Sequence, residues 1–337
     1  MNRVTYNEPE IGDSNRVVYQ NENVNFTYVE LQTVADRFGI GKITEEPTLE
    51  EGGLVNYNFV VKTGSGTYMV RAKNSELGTW EKDKMKLEHA VTDHLNNTDF
   101  PYQVPSFLSD ISGERHLELS GKVYEVYERL PGEDCGPVEK LELTKAMARY
   151  HKAMEQFSEH KPEHIQGLYD ERGWLYERYL ELEGRLTSPQ NELDQFMADS
   201  LPYLMECYRK LTEEAVPTQV SLAIHNDFSE DNVLCSDGSI SGIIDFGNVR
   251  WGSKSQDLAR LTKGEPSEVD NLIEEYRKHN PISDEEVANI VPEYVFGCLH
   301  AIRWMYDEME KGNGRKLGMI KGRVGKLRQS MDNWNSN

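Results

Sequence analysis

Apolar positions change their spacing several times along the chain. In "YVELQTVADRFG", Leu31, Val34, Ala35 and Phe38 recur at helical spacing, Thr27 stands where an N-cap belongs, and Gly39 and Gly41 end the pattern. "YNFVVKTGSGTYMVRAK" predicts two strands, Tyr57–Thr63 and Thr67–Lys73, joined by a Gly-Ser-Gly turn. A run of good helix formers follows in "GTWEKDKMKLEHAVTDHLNN". Pro-punctuated loop and two or three further strands then fill "FPYQVPSFLSDISGERHLELSGKVYEVYERLPGED". These parts add up to an antiparallel sheet with one crossing helix. From Val138 to about Leu211 the pattern is helical, 219–248 returns to short strands and loops, and 255–330 is helical again. The polar, Asn-rich residues 1–26 read as a loosely attached arm. The expected layout is α+β, with a small sheet-rich lobe over 27–130 and a larger, mainly helical lobe over 131–337.

Composition narrows the class. A chain of 337 residues, 37% hydrophobic and 28% charged, is long enough for two lobes with a sizeable core. No apolar run approaches the roughly 18–20 residues of a membrane helix, and "MNRVTYNEPEIGDSNRVVYQNENVNF" has no signal-peptide core, so a cytoplasmic protein is expected. A net charge of −21 argues against a nucleic-acid partner, whose phosphates it would repel. The four cysteines, Cys135, Cys207, Cys235 and Cys298, are scattered without a C-x-x-C pair and read as reduced, buried thiols. One region reverses the sign: Lys311, Arg315, Lys316, Lys321, Arg323, Lys326 and Arg328 occur with no acid among them. It reads as a solvated C-terminal helix, or as a segment drawn to the acidic body or to an anionic partner.

The stretch with most chemistry is "AIHNDFSEDNVLCSDGSISGIIDFGN", 223–248. Asp227 precedes an amide, Asn232, by five positions, and Asp245 follows thirteen later across an apolar hairpin. Phosphoryl transfer is largely positioning and charge neutralisation, and needs a group to take the hydroxyl proton and oxygen ligands for Mg²⁺. Asp227 suits the first task, and Asn232 and Asp245 the second.

"HNDFSEDN", followed by "GIIDFGN" and by "DLA" at 257–259, resembles the aminoglycoside phosphotransferase/choline kinase superfamily, the small-molecule relatives of protein kinases. The resemblance implies a bilobal, protein-kinase-like fold with ATP between the lobes. It implies Asp227 as catalytic base, Asn232 and Asp245 as Mg²⁺ ligands, and His225 and Asp257 as supports of the catalytic loop. Gly52 and Gly53 then lie in the phosphate-covering loop. The phosphate-binding cation is Arg71, or Lys73 two residues on along the same strand face. Glu88 is its expected partner, with Glu81 and Asp83 nearby as alternatives. "VYEVYERLPGED" resembles the linker where backbone meets adenine, which implies the carbonyl of Glu128 and the amide of Leu130, with Tyr127 behind.

The stretch from Phe100 to Glu133, followed by "MARYHKAM", resembles the homoserine kinase type II-like branch, although "DFGNVRWGSKSQ" departs from that branch's pattern. The acceptor implied is a small hydroxyl-bearing molecule, homoserine or a similar amino alcohol. Aminoglycosides, sugars and a nucleotide-binding pseudokinase are the alternatives. Trp304, Asp307 and Glu308 are candidate substrate residues, with acids for an ammonium and an aromatic to pack on it. A buried amphipathic helix would use the same letters.

Overall fold

The computed structural model describes residues 17–20, 24–50, 56–73, 79–161, 167–214, 220–263, 266–310 and 317–335. The chain forms two compact units, one ending at Asn96 and resuming over Gln103–Gly132, the other comprising Asn97–Tyr102 and the chain from Glu133 onward.

The first unit runs β1 (Val17–Gln20), β2 (Asn25–Thr27), α1 (Tyr28–Arg37), β3 (Thr48–Leu49), β4 (Asn56–Thr63), β5 (Gly66–Lys73), α2 (Thr79–Asn96), β6 (Leu117–Leu119) and β7 (Lys122–Glu128). Five strands form an antiparallel sheet in the order β3-β4-β5-β7-β6. Thr27 caps α1, its hydroxyl accepting from the Glu30 amide at 3.2 Å. Alternation splits the sheet into two faces. Phe59, Val61, Val70, Ala72, Tyr124 and Val126 form one core with Leu31, Val34 and Ala35 of α1. Arg71 pairs with Glu125 across β5 and β7 and falls on the other face.

The described residues 17–20 and 24–26 are attached to the sheet rather than loose, while 1–16 and 21–23 lie outside the described residues. β1 and β2 pair antiparallel, and Phe26 is fully buried, with its ring centroid 4.8 Å from that of Phe59. Burying such a side chain contributes on the order of 1.5–3 kcal/mol, enough to hold a short polar hairpin down.

The second unit runs β8 (Glu133–Asp134), α3 (Lys140–Met154), α4 (Gly167–Arg185), α5 (Glu192–Glu214), β9 (Leu222–Ile224), β10 (Val233–Ser236), β11 (Ser239–Ile243), β12 (Arg250–Gly252), α6 (Lys254–Thr262), α7 (Pro266–Arg277), α8 (Asp284–Ala288), α9 (Ile290–Glu310) and α10 (Leu317–Asn335). Strands are short here, in one sheet of order β11-β10-β8 and a pair β12-β9. Gly252 relieves crowding where those last two meet, since a Cβ would press on the side chains of Ile224, at 2.6 Å, and Gln256.

Two further expectations are corrected. Cys135 and Cys235 form a disulfide with Cα atoms 4.9 Å apart, while Cys207 and Cys298 are free and buried. β8 pairs with β10, which brings the two sulfurs together across 100 residues of sequence. The described part of the basic C-terminal segment is a docked helix. α10 buries Ile320, Val324 and Leu327, and Lys321 reaches Glu192 at 3.1 Å. Lys311, Arg315 and Lys316 lie outside the described residues. Among the described residues no helix is long and apolar enough to cross a membrane.

Candidate active site

β9 is buried throughout and delivers His225, Asn226 and Asp227 at its end. Asn226 takes a left-handed conformation, φ 60°, which asparagine tolerates better than most residues. What holds this turn is Asp257 on α6. Its carboxylate accepts the backbone amides of His225 at 3.0 Å and Asn226 at 2.7 Å, and meets Nε2 of His151 at 3.0 Å. His151, on α3, contacts the Tyr276 hydroxyl through Nδ1 at 2.8 Å. Burial opposes the charge on Asp257, but the hydrogen bond and charge of His151, the charge of His225 and the Asn226 amide hold its carboxyl below the usual range. The ionised acceptor fixes His151 Nε2–H as donor. His225 donates Nε2–H to the Ile244 carbonyl at 3.1 Å, and burial pushes its imidazole pKa below the ordinary value. Asp257→Ala leaves two amides and an imidazole without their acceptor. It is expected to lower the unfolding free energy by roughly 3 kcal/mol. A urea titration showing less than about 1 kcal/mol of change would mean that Asp257 does not hold the turn.

The hairpin β10–β11 sets the next two groups. Val233 pairs with Ile243, and the Ile244 amide donates to the Asn232 carbonyl at 3.0 Å, so Asn232 and Asp245 emerge at one end. Asn232 donates its side-chain Nδ2 to the Asp227 backbone carbonyl at 2.8 Å, which occupies the nitrogen and leaves the amide oxygen as an acceptor. Asp245 is exposed and left-handed, φ 59°, just before the 3₁₀ turn Phe246–Asn248. Two oxygen donors of this kind suit Mg²⁺, which takes one or two protein ligands and completes its shell with water and phosphate oxygens. Among the described residues no group of three or more His, Cys, Asp or Glu is placed to cage a metal on its own.

Asp227 itself is held from two sides. Arg260 Nη1 donates to Oδ1 at 2.9 Å, and Asn248 Nδ2 donates to Oδ2 at 3.2 Å. Each carboxylate oxygen keeps a further lone pair for a substrate hydroxyl. Sequence reasoning passed over both partners. Neither sits at a spacing that marks it, and Arg260 is 33 residues from Asp227.

In the first unit Arg71 is buried and held by two carboxylates. It forks onto Glu88 at 2.7 and 2.8 Å, and donates Nε and Nη2 to Glu125 at 2.9 and 2.6 Å. The other oxygen of Glu125 meets His89 Nε2 at 2.7 Å. Lys73 stands 3.5 Å from Glu125 with its side chain 19% exposed, so it is not the solvated strand-end lysine that its position suggests. Burial pulls the Arg71 guanidinium down, but Glu125 and Glu88 outweigh it and raise its pKa well above the ordinary value. Glu125 is a partner the helix acids do not point to, although an acid inside the otherwise uncharged "VYEVY" on the Arg71 face marks it. The side chain of Glu81 lies outside the described residues, and Asp83 meets Lys86 at 3.3 Å.

Glu128 closes β7. Val126 accepts the Leu108 amide, so strand alternation turns the Glu128 carbonyl to that same side, away from β5. Leu130 follows two residues later, half-buried and beyond the strand. Gly52 and Gly53 lie outside the described residues. Asp307 is not open to an ammonium, because Arg178 and Arg303 both donate to its carboxylate.

Residues 49–286 match the phosphotransferase enzyme family. Curated relatives include homoserine kinases of Zymomonas mobilis (25% identical, 61% of each chain) and Bartonella tribocorum (26% identical, 78% of this chain and 80% of that one). The chain thus spans less than two thirds of the Zymomonas enzyme. Among solved structures, a spectinomycin phosphotransferase in complex with ADP and spectinomycin aligns with a TM-score of 0.60 at 12% identity, covering 89% of this chain and 93% of that one. A microcompartment-associated aminopropanol kinase aligns with a TM-score of 0.59 at 14% identity, covering 89% and 95%. These likenesses establish a protein-kinase-like α+β fold. With the match running through both units over well over half of its length, the chain belongs to the phosphotransferase enzyme family.

Proposed function

We propose that this protein is an ATP-dependent small-molecule kinase that phosphorylates a hydroxyl group, with homoserine or a similar amino alcohol as acceptor. The observation that carries this reading is the juxtaposition of Asp227, Asn232 and Asp245 around one hairpin, locked by Asp257. In this reading Asp227 orients the acceptor hydroxyl and takes its proton as the oxygen attacks the γ-phosphorus of ATP in line, releasing ADP. Asn232 and Asp245 hold Mg²⁺, which supplies charge neutralisation on the phosphates. Arg71 and Lys73 contribute positive charge for the nucleotide phosphates, and Glu88 and Glu125 fix that charge in place. The carbonyl of Glu128 and the amide of Leu130 receive the base, and Gly52 and Gly53 cover the phosphates. The homoserine kinases at about a quarter identity support the acceptor. A polycationic aminoglycoside is the second reading, favoured by the net charge of −21 and by aminoglycoside phosphotransferases of the same fold.

The test is product formation from ATP and Mg²⁺ across homoserine, 3-amino-1-propanol, choline, amino sugars and aminoglycosides. Transfer to none of them would sink the reading. Asp245→Asn isolates the metal, since asparagine also accepts a left-handed backbone. This variant is expected to lose Mg²⁺-dependent ATP binding in calorimetry while the melting point without ligand stays level or rises. A large drop in that melting point would make Asp245 a structural acid instead.

A further inference from the structure

We infer that Arg260 selects the acceptor. Its guanidinium, shared with Asp227, receives a carboxylate or comparable anionic group carried by the molecule whose hydroxyl Asp227 addresses. The inference rests on the phosphotransferase reading above and adds the chemistry of its acceptor.

The fold has little need of Arg260. Its side chain is 50% exposed, that of Asp227 33%, and an ion pair this wet is worth at most about 1 kcal/mol. Among the described residues its hydrogen bonding is one Nη1–H to Asp227, leaving four of five donors for water or a ligand. A planar fork of that kind matches a carboxylate bidentately.

The surroundings point the same way. The chain carries −21 overall, yet Arg250 and Arg323 act on Arg260 with like charge. Asp227 and Asp257 act on it with opposite charge. Asp257 is buried and already engaged by His151 and two backbone amides. Positive charge thus accumulates around Arg260, the one arginine seen on Asp227 among the described residues, in an otherwise acidic protein. A polycationic acceptor would meet repulsion there, and an anionic group on the acceptor would meet a partner. Anchored by Arg260, a hydroxyl a few bonds away is directed at the open lone pairs of Asp227.

Two acceptors that differ by a carboxylate alone provide the test: L-homoserine and 3-amino-1-propanol, its decarboxylated counterpart. The wild-type protein is expected to favour homoserine by at least about tenfold in kcat/KM. In Arg260→Gln that preference should fall by about ten- to a hundredfold, chiefly through the KM of homoserine, and Arg260→Lys should restore part of it. Because any disturbance of Asp227 acts on both acceptors, it cancels in the ratio. An equal fall for both would place Arg260 on the nucleotide phosphate or on Asp227 alone and overturn the inference. A wild-type preference for the aminopropanol, or for an aminoglycoside, would overturn it while leaving the kinase reading intact. Turnover of no acceptor would overturn both.

Discussion

Replacing Asp227 with asparagine is expected to lower kcat by about a hundredfold or more while the protein stays folded and binds nucleotide as before. The amide keeps the size of the side chain and one oxygen for the Arg260 and Asn248 donors, at 2.9 and 3.2 Å in the parent. It cannot take a proton at working pH. Two effects can be separated by a control. Asn248→Ala removes one orienting donor and leaves the carboxylate, so its loss should be no more than about tenfold. Steady-state assays of product, with the melting point as a check on folding, distinguish these cases. Near-native turnover in Asp227→Asn would remove Asp227 from the proton transfer.

A second large effect is expected in the first unit, this time on stability. Arg71 stands between two buried carboxylates, Glu88 and Glu125, whose side chains are 2% and 1% exposed. Arg71→Ala would leave both charges without their main partner, a loss of about 3–5 kcal/mol in unfolding free energy. Arg71→Lys keeps a charge but not the fork, so the loss should be smaller yet measurable. A double-mutant cycle with Glu125→Gln should show coupling. The pH dependence carries the same sign. Burial raises the Glu125 pKa, but Arg71, His89 and Lys73 overcome it and hold the carboxyl far below its ordinary value. Stability from this depressed pKa is present in full above the unfolded-chain value of about 4.3 and is lost as the pH falls from there. Denaturant titrations at pH 7 and pH 3.5 should therefore converge for parent and Glu125→Gln as the pH drops. A loss below about 1 kcal/mol for Arg71→Ala would mean that the network is loosely held.

What the sequence made legible and what it hid divide by range. The helix capped by Thr27, the β4–β5 hairpin and the Asp227–Asn232–Asp245 run are local, with their signals lying within a few turns of chain. Glu88 required a resemblance, since several acids of one helix compete for the role. The pairing of Arg71 with Glu125 spans 54 residues, and that of His151 with Asp257 spans 106. No periodicity announces such contacts. The disulfide is hidden for the same reason, because the spacing of Cys135 and Cys235 says nothing about which strands become neighbours. The β1–β2 hairpin is hidden among asparagines because a few scattered side chains, Phe26, Val24 and Tyr19, carry its attachment. Asp307 failed in the opposite sense: an acid beside an exposed tryptophan reads as a binding group until two arginines are found on it.

The central claim is that this chain moves the γ-phosphoryl group of ATP onto a hydroxyl, with Asp227 taking the proton. ³¹P NMR of the protein with ATP, Mg²⁺ and homoserine follows that bond directly. The predicted result is a phosphomonoester resonance growing in step with ADP, reduced by about a hundredfold or more in rate for Asp227→Asn. Inorganic phosphate as the only product, or a phosphomonoester formed equally fast by both proteins, would contradict it.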